Sequence, residues 1–376
     1  MQQYILSHAS NPDWQVALQQ TVQQAQTNSA INVVTLGFVY VTAAYEGVFK
    51  KIVDELEKAF PQVDWVGTIG QSICVTNIEY AEQPAMAILL TDIEKSSYTI
   101  FKEQAAITER QQDNDVQFGI LHGDPRNPLL TEQLETFAET LEPSYFVGGL
   151  TSANNYYYQY AGNNETGEII EGGLSGIIFN NADSVMTGLT QGCSPISDVF
   201  TLTECEHHMA FSIDNRPALD VFKENIGEIL ARDINRAAGY IFAGFPVTGS
   251  DTGDYLIRNI IGIDPDNNFV AIADDLKVNS PIMFCKRDSQ TAIDDLKRML
   301  NTLKDRLEKD HNGLKPKGAF YISCLGRGQH MFGDVSSEIK HITDVLGDIP
   351  LIGFYANGEI AGHRLYGFTG VLTLFL

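Results

Sequence analysis

The fold can be worked out from Leu351-Ile352-Gly353-Phe354-Tyr355-Ala356-Asn357-Gly358-Glu359-Ile360. In this stretch an apolar pair runs into a glycine, an aromatic pair follows, and a second glycine precedes a carboxylate. Apolar residues that stop at a glycine are typical of a short core strand that reaches the surface, where the chain turns or another group comes close to it. The stretch therefore predicts a strand that leads into a glycine loop.

The same pattern occurs three times, each time after a strand, a loop, an amphipathic helix and a proline. The first strands of the three units are predicted at residues 31–41, 116–121 and 319–324, and the first two glycine motifs are Trp65-Val66-Gly67-Thr68-Ile69-Gly70 and Phe146-Val147-Gly148-Gly149. A strand–helix–strand crossover makes its strands parallel, so the loops after the strands leave the same edge of the sheet. Ligands of open α/β sheets bind beyond that edge. The pattern thus predicts three βαβ crossovers whose glycine loops rim one cleft or two equivalent ones.

The remaining segments predict an organisation into two modules. Short apolar runs alternate with turn residues at 73–99, 168–188 and 255–284, which is typical of antiparallel meanders. Helices are predicted at 14–26 and 289–310, and a boundary precedes the helix that follows Pro217. We predict an α/β fold of mixed α+β type with related modules at 1–212 and 213–376, each a mixed sheet flanked by helices. An αββα sandwich is one arrangement that fits.

Composition narrows the classes of partner. The 376 residues include 48 acidic and 25 basic side chains, a formal net charge of −23, which repels phosphate backbones and anionic lipids. The 5 cysteines form no C-x-x-C pair, so neither a disulfide framework nor a zinc site is indicated. The first residues lack the pattern of a signal peptide, and no apolar run is long enough to span a bilayer. We expect a cytoplasmic protein without a nucleic-acid, membrane or metal partner.

Two motifs that suggest metal sites are better explained as turns. Residues 264–268 begin like an EF-hand loop but lack its glycine and its final glutamate, so a hairpin turn is favoured. His207 and His208 fall where a hairpin turn is expected, and neighbouring strand residues would point to opposite faces. Neither a phosphate-binding loop nor a nucleophile elbow occurs in the required context.

Four residues near the predicted strand ends are candidates for chemistry. Cys324 lies near Arg327, which could lower the pKa of the thiol, although a small apolar residue that closes the strand is the favoured explanation for a cysteine there. Glu359 is either a general base, a ligand-binding carboxylate or a cap for backbone amides. His122 and His330 lie in strand-end loops, where each could bind a haem iron or simply form hydrogen bonds within its loop.

Taken together, these motifs resemble the FIST family of sensory domains over nearly the whole chain. Further stretches that carry the resemblance are Glu171-Gly172-Gly173-Leu174-Ser175-Gly176, Gln191-Gly192-Cys193-Ser194-Pro195-Ile196, Arg216-Pro217-Ala218-Leu219-Asp220, Tyr255-Leu256-Ile257-Arg258-Asn259 and Ser323-Cys324-Leu325-Gly326-Arg327. The motif at 352–360 is the most specific of them. The family more often has an aromatic residue where this chain has Asn357, so the lining of that loop differs.

The resemblance implies a ligand sensor and not an enzyme. Amino-acid-like ligands are proposed for FIST modules, and a branch of stand-alone two-module proteins binds haem, senses nitric oxide and regulates a partner histidine kinase. Because no kinase or membrane segment is fused to the chain, we expect its output to pass through a separate signalling protein. The expected ligand-binding residues are Gly67, Gly70, Gly148, Gly149, Ser152, Cys324, Arg327, Gly353, Phe354, Tyr355, Gly358 and Glu359, with His122 and His330 as candidate axial ligands of haem.

Three other functions fit the sequence. The first is a sensor of amino-acid-like ligands that works without haem. The second is a small-molecule hydrolase or transferase that uses Cys324 or Glu359. The third is an adaptor that binds no small molecule.

Overall fold

A computed structural model describes residues 3–102, 117–141, 144–163, 165–181, 184–227, 239–247 and 254–376. The chain forms two compact units, one of Met1–Thr190 with Asp294–Leu376 and one of Gln191–Ile293. The second unit is therefore inserted into the first. These units divide the chain differently from the sequence modules 1–212 and 213–376, which stay a prediction.

The fold contains α-helices together with parallel and antiparallel strands, which confirms the predicted mixed α/β class. The helices among the described residues are α1 (Trp14–Gln26), α2 (Phe49–Ala59), α3 (Leu130–Thr140), α4 (Ala218–Asn225), α5 (Ser289–Asp310), α6 (Gln329–Phe332) and α7 (Ser337–Leu346). The bounds predicted for α1 and α5 are confirmed. No helix in these ranges is long and apolar enough to cross a membrane.

The first unit contains three six-stranded sheets. In spatial order, the first is β1 (Tyr4–Ser10), β6 (Ala85–Thr91), β2 (Leu36–Thr42), β3 (Asp64–Gly70), β10 (Gln159–Gly162) and β11 (Glu168–Ile170). The second is β7 (Tyr98–Lys102), β12 (Leu174–Phe179), β8 (Gln117–Gly123), β9 (Ser144–Leu150), β24 (Glu359–Ala361) and β25 (Arg364–Tyr366). The third is β13 (Val185–Gln191), β26 (Thr369–Phe375), β22 (Gly318–Cys324), β23 (Leu351–Ala356), β4 (Ile73–Val75) and β5 (Ile78–Tyr80).

Each sheet has one parallel pair at its centre, and these pairs are the three predicted crossovers. β2 pairs with β3, β8 with β9, and β22 with β23, all in parallel. The first strand starts later than predicted, because residues 31–33 form a turn of 3-10 helix and β2 begins at Leu36. The chain therefore contains three copies of one repeat, with the second unit inserted into the third copy.

The three repeats exchange their hairpins in a cycle. The hairpin β4–β5 of the first repeat pairs with β23 of the third, β10–β11 of the second pairs with β3 of the first, and β24–β25 of the third pairs with β9 of the second. The segments 73–99 and 168–188 are therefore not meanders, as the sequence suggested, because their strands belong to different sheets. Each sheet is completed by a piece of another repeat.

The sheets bury one face against helices and the other against one another. On the outer faces, apolar residues of α1 and α2 pack on the first sheet and those of α3 on the second. On the inner faces, rings from different sheets meet: Phe38 lies 4.5 Å from Phe320, and Tyr40 lies 4.9 Å from Phe354, measured between ring centroids.

The second unit is built around a closed antiparallel barrel. Its strands are β14 (Cys193–Pro195), β15 (Phe200–Glu206), β16 (Met209–Ile213), β17 (Arg216–Pro217), β18 (Ile241–Pro246), β19 (Tyr255–Asp264), β20 (Phe269–Ile272) and β21 (Pro281–Arg287). The ring closes because β21 pairs with both β15 and β18, and α4 packs against the barrel core. The predicted turns at His207-His208 and at residues 265–268 are confirmed, since each joins two neighbouring strands of this barrel.

Candidate functional site

Four of the residues predicted to bind a ligand come together in the third repeat. Cys324 ends β22, Arg327 lies in the loop that follows, Tyr355 lies in β23, and Glu359 begins β24. Arg327 and Tyr355 both contact the carboxylate of Glu338 on α7. We call the set Glu79, Tyr321, Ser323, Cys324, Arg327, Glu338, Tyr355, Glu359 and Thr369 the polar cluster.

Glu338 is the centre of the polar cluster. Its side chain is fully buried and accepts hydrogen bonds from Tyr321 Oη at 2.6 Å and from Ser323 Oγ at 3.1 Å. It also accepts from Arg327 Nε at 2.7 Å and from the backbone amide of Gly328 at 3.0 Å. One carboxylate therefore ties β22 and the loop after it to α7.

Arg327 is a buried cation with unused donors. The residue is fully buried, and its Nε forms the ion pair with Glu338. Burial by itself would lower the pKa of Arg327, but the Glu338 carboxylate beside it raises the pKa, so the guanidinium stays charged. Nη1 makes one long contact of 3.4 Å to the carbonyl of Phe368, and Nη2 has no hydrogen-bond partner among the described residues. Buried donors without partners are costly, so this arrangement calls for an explanation.

Glu79 joins the polar cluster from the first repeat, on the exchanged hairpin. Its carboxylate accepts from the amide of Ser336, and its own amide donates to Ser336 Oγ at 2.8 Å. Burial, together with the nearby Glu338 carboxylate, raises the pKa of Glu79 to about 7. The carboxyl group therefore gains or loses a proton near neutral pH.

Glu359 also titrates near neutral pH. Its Oε2 accepts from the Thr369 hydroxyl at 2.7 Å and from the Thr369 amide at 3.1 Å, whereas Oε1 has no partner among the described residues. Burial raises the pKa of Glu359 to about 8 despite these hydrogen bonds. Burial and the neighbouring Glu359 also raise the pKa of the Cys324 thiol, so Arg327 does not activate it as a nucleophile.

The backbone around Arg327 adopts uncommon conformations. Gly328 has a φ of 57°, Ser336 a φ of 66° and Phe368 a φ of 59°. For a bulky side chain such as that of Phe368, a positive φ is an outlier that costs of order 1–3 kcal/mol. Its carbonyl is the one that Arg327 Nη1 approaches, and its ring lies where a side chain on Gly326 would be. Such conformations cluster at binding and switch sites.

The corresponding positions in the other two repeats are apolar. Val39, Leu121 and Tyr321 occupy the same position, because each pairs with the central glycine of the next parallel strand. By the same register, Ser323 corresponds to Val41 and Gly123, and Tyr355 corresponds to Ile69 and Leu150. In the first and second repeats these positions pack in the apolar cores under α2 and α3. Only the third copy of this helix–sheet interface contains buried ionisable groups at these positions.

The central glycines have a steric role inside the sheets. A Cβ atom would lie 2.0 Å from the Val39 carbonyl oxygen at Gly67, 1.9 Å from that of Leu121 at Gly148, and 1.7 Å from that of Tyr321 at Gly353. The loops predicted to begin at these glycines instead begin after residues 70, 150 and 356, because the strands continue to those points. The glycines are paired on both sides, so their amides do not face a cleft.

The other predicted ligand residues contribute to the joints between sheets. Ser152 Oγ accepts from the Gln71 amide at 2.7 Å and donates to the carbonyl of Tyr355. The remaining residues of the set also lie at these joints. Gly149 pairs with Glu359, a Cβ at Gly70 would meet Phe354, and the Gly358 carbonyl accepts from the Leu150 amide. Their assignment to a ligand stays a prediction.

Neither candidate histidine fits haem ligation in this structure. His122 is fully buried between Tyr40 and Phe354, with Nε2 3.0 Å from Tyr40 Oη, and burial lowers its pKa to about 3. A haem group would need to displace these inner-face rings. His330 is exposed on the short helix α6. Haem binding stays a prediction.

A pocket of about 700 Å³ lies elsewhere, between the edge strands β7 and β11. Its charged side chains pair with one another, as Lys95 does with Asp64 at 2.7 Å and Lys102 with Glu168 at 3.2 Å. No histidine or cysteine lines it. The described residues also contain no group of three or more potential metal ligands, and none of the five cysteines forms a disulfide.

The sequence analysis missed Glu79, Glu338 and Tyr321. A signal was present for Glu338, because it lies four residues before Ile342 and next to Ile339 on the buried stripe of α7. A carboxylate on an apolar stripe predicts a buried partner of opposite charge. Glu79 carried no such signal, because its place beside Glu338 depends on the hairpin exchange.

Comparison with known proteins agrees with the resemblance. A family model described as the FIST N domain matches residues 35–216, and one described as the FIST C domain matches residues 218–362. An uncharacterized protein of Mycobacterium tuberculosis is 28% identical over 331 residues, which cover 83% of each chain. An uncharacterized protein of Mycobacterium bovis is 27% identical over 332 residues, which cover 83% of this chain and 82% of the relative.

Proposed function

The chain belongs to the FIST family, and from this premise we propose that it is a ligand sensor that binds a small molecule at the polar cluster. FIST domains are associated with small-ligand sensing in signal transduction. The observation that carries the proposal is the difference between the repeats. In the third repeat Tyr321, Ser323 and Tyr355 replace apolar residues of the helix–sheet interface. They lie with the buried guanidinium of Arg327, the carboxyl groups of Glu338 and Glu359, and Glu79 from the first repeat, and Arg327 Nη2 has no hydrogen-bond partner among the described residues.

Replacing apolar packing by buried ionisable groups reduces stability unless every group is paired. In the first and second repeats the positions that match Tyr321, Ser323 and Tyr355 are apolar, and the buried carboxylate on α2, Glu57, is paired with the Tyr160 hydroxyl. The polar cluster is therefore better explained by binding than by folding. Polar groups with perturbed pKa values that converge on one place are typical of functional sites.

The loop from Leu325 to Ser336 is the element that a ligand would bias. It contains Gly326, Gly328 and Gly333, and its position depends on the contacts of Arg327 and Gly328 with Glu338. A ligand that binds the unused donors of Arg327 stabilises the loop conformation that holds Arg327 beside Glu338. A sensor shifts its equilibrium only by such a difference in affinity between two conformations.

We assign the output to a separate signalling protein, of which a histidine kinase is the kind that the family resemblance suggests. The assignment predicts that autophosphorylation of the partner kinase changes when the liganded protein is added. A protein that leaves the kinase rate unchanged with and without ligand contradicts this part of the proposal.

The ligand site is tested by a thermal-shift panel of small metabolites, since a ligand at a hundred times its dissociation constant adds about 2.7 kcal/mol to stability. Arg327→Lys should abolish the shift, because lysine cannot reproduce the fork of the guanidinium. Arg126→Lys is the matched control, since Arg126 is half exposed and pairs with Asp124 outside the cluster. Equal shifts in both variants would place the ligand elsewhere.

Two other functions are tested with the same protein. A visible spectrum recorded after haem titration tests haem binding, for which a Soret band that moves with nitric oxide is the expected sign. Turnover of a panel substrate that is lost in Cys324→Ala or Glu359→Gln would identify an enzyme instead of a sensor.

A further inference from the structure

We propose that the polar cluster binds a carboxylate or a similar oxyanion of its ligand, held between Nη2 of Arg327 and the carboxyl group of Glu359. This inference rests on the proposed function and gives the chemical class of the ligand. It is derived from the two side-chain atoms of the polar cluster that have no hydrogen-bond partner among the described residues.

The free groups of the polar cluster are hydrogen-bond donors. Arg327 Nη2 carries two hydrogens and cannot accept. Glu359 uses Oε2 to accept both bonds from Thr369, and the only other side-chain donor to its carboxyl group among the described residues is the weak Cys324 thiol. With a pKa near 8, Glu359 is mostly protonated at neutral pH, so it can offer an O–H. Donors that lack an acceptor favour a ligand that accepts, and an oxyanion offers several lone pairs together with a charge that complements Arg327.

The charge balance of the site favours the same ligand. Arg327 faces Glu338 in an ion pair, and the groups that face Glu359 are the Cys324 thiol, the Thr369 hydroxyl and the Arg327 guanidinium. The cluster also contains Glu79, whose pKa is about 7, and the neutral phenols of Tyr321 and Tyr355. When Glu359 and Glu79 are protonated, the guanidinium and Glu338 cancel, and an added anion meets no net negative charge.

The chain segment just before Arg327 reaches the protein surface. Cys324, Leu325 and Gly326 are partly exposed, while Arg327 directly after them is fully buried. The ring of Phe368 covers Gly326, and the backbone of Phe368 is in the strained conformation described above. Because the Phe368 carbonyl contacts Arg327 Nη1 only at 3.4 Å, that contact is a weak one for an incoming oxyanion to replace.

The proposal is tested with sodium formate and sodium acetate on the full chain, with sodium chloride at equal ionic strength as the reference. Apparent affinity is read from the shift in unfolding temperature between pH 6 and pH 9. We expect both carboxylates to stabilise the protein more than chloride does. Above about pH 8 the affinity should fall by up to tenfold per pH unit, because the ionised Glu359 repels the ligand and no longer donates.

Two variants separate the roles of the residues. Arg327→Lys should weaken carboxylate binding at least tenfold. Glu359→Gln keeps a neutral donor in the same place, so it should retain binding and lose the dependence on pH above pH 8. This second variant keeps the test informative where Arg327→Lys does not fold.

The possible results differ for the ligand class and for the proposed function. Carboxylate binding that strengthens with rising pH overturns the proposal. So does a fall in affinity above pH 8 that is the same in Glu359→Gln as in the unchanged protein. If carboxylates act no better than chloride while a neutral or cationic metabolite binds and is lost in Arg327→Lys, the ligand class is wrong and the sensor function stands. If no compound stabilises the protein, both fail.

Discussion

The buried ion pair between Arg327 and Glu338 allows a sharp test of how the polar cluster is held together. Replacing Glu338 by Gln keeps the shape of the side chain and removes its charge. The guanidinium of Arg327 is then left buried without a counter-ion. One of the two carboxylate oxygens is replaced by an NH2 group, which can only donate and yet faces other donors. Tyr321, Ser323 and Gly328 donate to the same group, so the amide cannot satisfy them all.

The expected cost follows from the geometry. Unit charges 2.7 Å apart attract by about 6 kcal/mol at an effective dielectric constant of 20. Removing one partner of a buried pair costs about 3–5 kcal/mol in measured cases. We therefore expect Glu338→Gln to lower the free energy of unfolding by about 3–5 kcal/mol.

The matched control is Glu55→Gln on the surface of α2. Glu55 pairs with Lys58 at the same N···O distance of 2.7 Å, but the two side chains are 47% and 69% exposed. A pair of this kind contributes about 0–1 kcal/mol, so the control should change stability by less than 1 kcal/mol. Because the two N···O distances are equal, a difference in the free energy of unfolding between the two variants reports the effect of burial.

The assay is urea unfolding followed by tryptophan fluorescence. The chain has 2 tryptophans, Trp14 and Trp65, and both lie in the first compact unit, so the signal reports on the unit that contains the cluster. A cost below 1 kcal/mol for Glu338→Gln, or one equal to that of the control, would refute the reasoning. The double variant Arg327→Met with Glu338→Leu should be more stable than Glu338→Leu alone, because no buried charge is then left unpaired.

Three further predictions concern titration, backbone space and the inner core. The pKa of Glu359 rises on folding from about 4.3 to about 8, so its contribution to the free energy of unfolding is complete below about pH 4.3. That contribution is lost as the pH rises to 8, by up to about 1.4 kcal/mol per pH unit. Glu359→Gln should flatten this slope in urea titrations at several pH values. Gly148→Ala places a Cβ 1.9 Å from a carbonyl oxygen at a φ of +148° and should prevent soluble expression, whereas Gly47→Ala meets open space and should change stability by less than about 1 kcal/mol. Tyr40→Phe leaves both ring nitrogens of His122 without partners and should cost about 1–3 kcal/mol in urea unfolding, and an unchanged midpoint would show that the 3.0 Å contact contributes nothing.

The crossovers could be predicted from the sequence because their signals are local. Each one is a short apolar strand, an amphipathic helix and a glycine strand within about forty residues, and all three are present as parallel pairs. The glycines recur because no side chain fits against the neighbouring carbonyl oxygen. The sequence analysis interpreted the same glycines as ligand loops, since the pattern alone does not distinguish a steric requirement from a binding one.

The hairpin exchange could not be predicted, because it depends on contacts between distant residues. The register of β4 against β23 joins Cys74 to Gly353, and nothing in either strand identifies its partner. For the same reason Glu79 was not connected with Glu338. Arg327, Tyr355 and Glu359 were found because they lie close to the ends of strands that could be predicted.

The exchange also determines what the polar cluster can influence. Arg327 belongs to the third repeat, Glu79 arrives on the hairpin of the first, and Glu359 pairs with Gly149 of the second. Beside the cluster, Ser152 of the second repeat donates to the carbonyl of Tyr355 of the third.

A ligand that moves Arg327 or changes the protonation of Glu359 therefore acts on strands that come from all three repeats and lie in the second and third sheets. A sensor needs a local binding event to alter a larger surface. In this fold the third repeat connects the polar cluster to strands of the other two repeats. This argument predicts that ligand binding at the cluster protects amides of β4, β9 and β23 from hydrogen exchange together, while protection confined to β23 would contradict it.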